Sequence, residues 1–208
     1  MGTISIDLFT TLDFVAQSPG RPDEDTEGGF SFGGWQVPFQ DEVVGKIVRE
    51  NIQEMDALIL GHKTYDIFAT YWPRQADDFA GGIAGRLNSI PKYVASRQPL
   101  SLEWSGSSQL DADTTEAVRS IRDRHQRVHV IGSLDFVQTL FAERLFDRLN
   151  LIVYPITLGT GKRVFADGTI PANLRLVEPA ISSANGIVIL RYEPSEGAPA
   201  QGDVDLDV

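Results

Sequence analysis

Ala57-Leu58-Ile59-Leu60-Gly61-His62-Lys63-Thr64-Tyr65 is the stretch whose reading decides the fold. A short apolar run ends in a glycine and two side chains able to carry positive charge. A hydroxyl then opens a segment that reads as a helix over Thr64–Ala69. Helix N-termini present unpaired backbone N–H groups and a partial positive charge, so they attract anions. Lys63 and His62 add charge beside that end, and Thr64 is a residue able to cap it. The segment therefore reads either as a holder for a phosphate-bearing cofactor or as a plain strand-to-helix turn with solvated basic residues.

Working outward, apolar runs and helical patterns alternate along the chain. Ile4 to Leu12 reads as a first strand, followed by a loop rich in Pro, Gly and acids from Gln17 to Gly34. From Asp41, residues Val43, Val44, Ile47, Val48, Ile52 and Met55 keep an apolar face at helical spacing. Tyr93–Ala95 is a third strand entered through Pro91, and Thr114–Arg124 a helix with Asp111 or Asp113 before it as cap. Val128–Ile131 is a strand, Leu134–Leu145 an amphipathic helix and Arg148–Tyr154 a further strand. Leu174–Ser182 and Gly186–Tyr192 then read as a hairpin around Ala184-Asn185-Gly186, because Asn-Gly suits a tight turn between strands. Such alternation specifies an α/β fold: a central, mostly parallel sheet, helices on both faces, and a C-terminal antiparallel hairpin. The predicted organisation is one domain over residues 1–193 and a disordered acidic tail over residues 194–208.

Composition excludes several classes of partner. The net charge of −11 opposes nonspecific binding to nucleic acid or to an anionic membrane. No apolar run approaches the ~18–20 residues needed to span a bilayer, and the N-terminal residues lack the blocks of a signal peptide. With no cysteine, a disulfide framework, a thiolate zinc site and a catalytic thiol are all excluded. No metal site is expected, and a cytoplasmic setting is.

In open sheets of this kind ligands sit beyond the carboxyl ends of the strands. Three such ends carry suitable chemistry: Gly61–Thr64, then Ser96-Arg97 with a hydroxyl and a guanidinium that suits a forked phosphate contact, then Gly132-Ser133 ahead of Leu134. Together they favour a phosphate-bearing cofactor. Gly159-Thr160-Gly161-Lys162-Arg163 is not a nucleotide-triphosphate loop, because Ile156 and Arg163 stand where that motif needs a glycine and a hydroxyl.

This order of motifs resembles the dihydrofolate-reductase-like superfamily, in its riboflavin-biosynthesis reductase (RibD C-terminal) branch. The resemblance rests on Thr11-Leu12-Asp13, Gly29-Phe30, Gly33-Gly34-Trp35, Leu60–Tyr65, Lys92–Arg97, Val130–Ser133 and Pro155–Phe165, and extends from Ile4 to Tyr192. It implies NADPH as cofactor. By that resemblance His62, Lys63 and Thr64 meet the pyrophosphate and the 2′-phosphate, Ser96 and Arg97 face the 2′-phosphate, and Gly132, Ser133 and Leu134 line the pyrophosphate and nicotinamide ribose. The segment from Asp13 through Val15 and Ala16 lies near the nicotinamide. Hydride transfer to a C=N or C=O of a small heterocyclic substrate follows, as in reduction of 5-amino-6-(5-phosphoribosylamino)uracil.

The superfamily's acid falls shortly after a Trp-x-x-Pro segment. Here Trp35-Gln36-Val37-Pro38 places Gln40 at that position, with Asp41 beside it. Gln40 cannot donate a proton as an acid does, which argues against folate reduction. Asp41 is a candidate catalytic residue or a helix cap. Asp13 is a candidate for orienting a substrate amide or for stabilising its own turn. An NADPH-binding protein without catalysis, acting as a sensor, is the alternative to a reductase. Pairing as a homodimer is a family-level expectation, with Leu151–Ile156 and Ile187–Leu190 as its apolar edge or simply as buried sheet.

Overall fold

Both faces of the Ala57–Leu60 run are apolar, and the fold covers both. The computed structural model describes residues 1–202 of the chain. Its elements, in order, are β1 (Thr3–Thr11), α1 (Glu42–Glu54), β2 (Ala57–Gly61), α2 (His62–Tyr71), α3 (Phe79–Ser89), β3 (Lys92–Ala95), β4 (Ser107–Gln109), α4 (Thr114–Arg124), β5 (Arg127–Ile131), α5 (Leu134–Ala142), β6 (Arg148–Tyr154), β7 (Leu174–Leu176), β8 (Ile181–Ser182) and β9 (Val188–Pro194). They build one sheet in the order β4-β3-β2-β5-β1-β6-β9-β7, with β8 also paired to β9. From β4 to β6 every pairing is parallel, while β9 runs antiparallel to β6, β7 and β8. This is the α/β architecture expected.

Alternation along β2 explains the layers. Ala57 and Ile59 pack with Val118 and Ile121 of α4 and Val137 and Leu140 of α5. Leu58 and Leu60 pack on the other face with Ile52 of α1, Tyr65 of α2 and Ile83 and Leu87 of α3. All four β2 residues are fully buried. Each buried Leu or Ile is worth roughly 1.5–3 kcal/mol, which outweighs the ~0.5–1 kcal/mol held against Gly61 at the strand's end.

Departures from the predicted elements have local causes. α2 begins at His62, with Gly61 rather than Thr64 at its N-cap. α5 stops at Ala142, because Arg144 takes a positive φ, yet Leu145 and Phe146 remain buried. The expected strand Leu174–Ser182 is interrupted around Pro179, leaving β7 and β8 as separate short strands on β9. The Ala184-Asn185-Gly186 turn forms as expected, with Ser183 and Ile187 backbones bonded across it and Gly186 at φ 78°. Leu151–Tyr154 and Ile187 are not an edge: β6 lies between β1 and β9, and these residues are buried within the single chain. The expected tail over residues 194–208 includes Pro194, which closes β9, and Ser195, whose N–H donates to Asn173 O at 3.0 Å. Its residues 203–208 lie outside the described residues.

Candidate functional site

A cavity of about 1140 Å³ opens beyond the carboxyl ends of β2, β3 and β5. The three strand ends singled out from the sequence meet there: Gly61–Thr64, Ser96-Arg97 and Gly132–Leu134 all line it, as does Ala16. Helices α2 and α5 both begin at this cavity, and neither has a side-chain cap on its N-terminus. Two sets of orphan amides and two partial positive charges therefore converge on one space.

The two helix starts are latched together. Gly61 N–H donates to Ser133 Oγ at 2.8 Å, and Ser133 N–H donates to Thr64 Oγ1 at 3.1 Å. Ser133 Oγ donates in turn to Ile131 O at 3.0 Å. Gly132 and Ser133 both sit at φ 58°, the left-handed region, so the backbone reverses sharply between β5 and α5. Ser133 is not a glycine-like spacer. Its hydroxyl takes the Gly61 amide, while the first-turn amides of His62, Lys63 and Thr64 have no intrahelical partner.

The charged residues differ in how they are engaged. His62 Nε2 lies 3.3 Å from Asp66 Oδ2, one turn along α2. Ser96 Oγ donates to Gln98 O at 2.9 Å and accepts from Gln98 N–H at 3.1 Å, folding the turn after β3. Arg97 is exposed on that turn, and no ion pair among the described residues involves it. Lys63 and Lys162 are both paired to Asp25 and Glu27 of the acidic loop. Burial works against the charge on Lys162, but the two carboxylates raise its pKa above the ordinary lysine range.

The remaining sequence candidates are placed elsewhere. Val15 is fully buried between Phe30 and Trp35 and lies off the cavity. Its N–H is taken by Thr11 Oγ1, because the chain turns at Phe14 with φ 60°. Asp13 accepts from Thr11 Oγ1 (2.6 Å), Leu158 N–H (3.2 Å) and Gly159 N–H (2.7 Å). Burial opposes its ionisation, yet these bonds hold its pKa below the usual value. It ties the end of β1 to the 157–161 turn and does not line the cavity. Asp41 caps α1, accepting from Val44 N–H at 3.0 Å, and that bond is the main cause of its lowered pKa. Gln40 is exposed and donates to Val37 O. Neither lines the cavity, whereas Gln36 of the same segment does.

One ionisable cluster at the cavity was not foreseen. Asp7 of β1 lines the cavity, and its backbone O accepts from Gly132 N–H at 3.3 Å. His129 Nδ1 lies 2.5 Å from Asp7 Oδ2, while Asn150 (2.8 Å) and Asn51 (3.4 Å) donate to Asp7 Oδ1. Burial disfavours the imidazolium, but the charge and hydrogen bond of Asp7 win and raise the His129 pKa. A carboxylate in the middle of a strand with no other charged residue was the available signal. Its partners come from β5, β6 and α1, which no local reading connects.

The fold is that of the dihydrofolate-reductase-like class. A dihydrofolate reductase from Enterococcus faecalis, solved as a complex with NADP(H), superposes with a TM-score of 0.57 at 14% identity, over 94% of this chain and 98% of its own length. The model of the RibD C-terminal domain family matches residues 3–188, and the chain belongs to that family. A bifunctional diaminohydroxyphosphoribosylaminopyrimidine deaminase/5-amino-6-(5-phosphoribosylamino)uracil reductase from Thermotoga maritima superposes with a TM-score of 0.61 at 15% identity, over 93% of this chain and 57% of that one. The uncharacterized protein YyaP of Bacillus subtilis is 25% identical over 194 residues, which is 91% of this chain and 93% of YyaP.

Proposed function

We propose that this chain is an NADPH-dependent reductase acting on a C=N or C=O bond of a small heterocycle, in the manner of a 5-amino-6-(5-phosphoribosylamino)uracil reductase. The observation that carries the reading is the convergence of two uncapped helix N-termini and the Arg97 guanidinium on one cavity. A pyrophosphate suits the amides at the starts of α2 and α5. A ribose 2′-phosphate suits the forked donors of Arg97. Membership of a reductase family and the NADP(H) complex of a protein with this fold support the same cofactor.

When bound, the reduced nicotinamide supplies a hydride. The chain's own residues hold the cofactor by its phosphates, shield the cavity and provide a proton. In our reading the proton source is the Asp7–His129 pair rather than Asp41, since Asp7 is the carboxylate set into the sheet at the cavity. The proton carried by the His129 imidazolium passes through the Asp7 carboxylate to the acceptor nitrogen or oxygen, leaving His129 neutral and Asp7 a carboxylate.

Calorimetric titration tests the cofactor assignment. NADPH is expected to bind the wild-type protein more tightly than NADH. Arg97→Ala should weaken NADPH by about 10- to 100-fold, from the loss of one charge-assisted phosphate contact, and leave NADH nearly unchanged. Equal losses for both, or no NADPH binding by wild type, would overturn it.

A further inference from the structure

Lys63 and Lys162 stand at the cavity where a phosphate is expected, and each already holds two carboxylates. Lys63 Nζ lies 3.2 Å from Asp25 Oδ1 and 2.6 Å from Glu27 Oε2. Lys162 Nζ lies 3.1 Å from Asp25 Oδ2 and 2.6 Å from the same Glu27 Oε2. One oxygen thus bridges two ammonium groups while two others take one each, the pattern a phosphate presents to a lysine pair.

The loop that brings these carboxylates is buckled down from one side. Gln17 is buried and donates through Nε2 to Asp25 O (3.1 Å) and Glu27 O (3.0 Å), while its Oε1 accepts from Lys162 N–H at 2.9 Å. At the two residues after Glu27 the packing is loose. Gly28 and Gly29 take positive φ, and a Cβ on either would meet no atom within 4 Å. Lys63 and Glu27 are half-exposed or more, and ion pairs in that setting are weak and exchangeable.

We propose that Lys63 and Lys162 form a phosphate site that the chain occupies with its own Asp25 and Glu27. A phosphate-bearing ligand then enters by displacing these carboxylates and releasing the 19–28 loop. The inference rests on the NADPH reading for its natural occupant, but the lysine pair is testable on its own with inorganic pyrophosphate. A self-occupied site has a lowered apparent affinity, in proportion to how rarely the loop is displaced.

Titration of pyrophosphate and of NADPH into wild type and a D25N/E27Q double variant reads that competition. The variant is expected to bind pyrophosphate about tenfold more tightly, as when the competent state rises from about a tenth of the population to most of it. Hydrogen exchange supplies a readout on the unaltered protein: pyrophosphate should speed exchange of the amides of residues 19–29. Equal or weaker binding by a variant that melts like wild type, absence of pyrophosphate binding to both, or a loop whose exchange is unchanged by pyrophosphate would each overturn the proposal, leaving the ion pairs as a simple staple. If NADPH binds neither protein while pyrophosphate gains in the variant, the cofactor reading falls and the self-occupied site stands. Ribose 5-phosphate separates the two sources of phosphate: competition with NADPH places the cofactor's phosphate on the lysines, and joint binding places a substrate's there.

Discussion

Asp7 and His129 meet across β1 and β5, with Asn51 and Asn150 donating to the carboxylate. The His129 pKa is raised in the folded chain, against the burial that would lower it. The sign follows directly: folding favours the protonated imidazole, so this stabilisation is complete below the ordinary value of 6.5 and is lost as the pH rises through the elevated folded value. Asp7→Asn removes the charge that sustains the shift. NMR titration should then show His129 protonating at a lower pH than in wild type, and the loss of stability above pH 6.5 should flatten. An unchanged His129 titration in Asp7→Asn would refute the coupling. Lys92 illustrates a residue whose type misleads. It precedes Ser96-Arg97 in sequence, yet it is fully buried, donates to Asn88 O and Ser105 O at 2.9 Å, and lies 4.4 Å from the Trp104 ring centre. Burial lowers its pKa to about 8.

At the scale of elements, the start of α1 tells a cap from an acid. Asp41 accepts from Val44 N–H and stands off the cavity. Asp41→Ala is expected to destabilise the protein by about 1 kcal/mol, as N-cap losses do, without changing NADPH affinity. Chemical denaturation and calorimetry on the same variant check both halves, and a large loss of cofactor binding would return Asp41 to the site. The strand ends that meet at the cavity were legible in the sequence because each is a local word: strand, glycine or hydroxyl, helix. α4 and β6 were legible in full, α4 from its Asp113 cap and the apolar face of Ala117, Val118 and Ile121, β6 from a nearly continuous apolar run buried on both faces. α3 was not, because Ala80, Gly81 and Gly82 at its start take positive φ and give no helix-start signal. Nor was β4, whose Ser-Ser-Gln has no apolar alternation and gains its place by pairing with β3. The Asp7–His129 pair was hidden for a different reason. Asp7 meets His129 and Asn150 across 122 and 143 residues, so only the β5-β1-β6 register brings them together.

At the scale of the whole molecule, that register also sets an order of events. β1 precedes both of its partners in the chain and is an interior strand of the finished sheet, paired on one side from Thr3 with Arg127 and on the other from Ser5 with Arg148. On a ribosome adding roughly 5–20 residues per second, β1 therefore waits on the order of ten to thirty seconds before both of its neighbours exist. During that interval Ile4, Ile6 and Leu8, all buried in the folded chain, have no sheet to join. Nascent chains halted near residue 140 should be cleaved by protease within Thr3–Thr11, and chains extended beyond residue 194 should resist. Protection of the shorter chains would show that β1 finds another partner first. The strand that carries Asp7 is thus also the one that a translating cell must shelter longest, and the supply of folded protein depends on holdase capacity as well as on the stability of the finished fold.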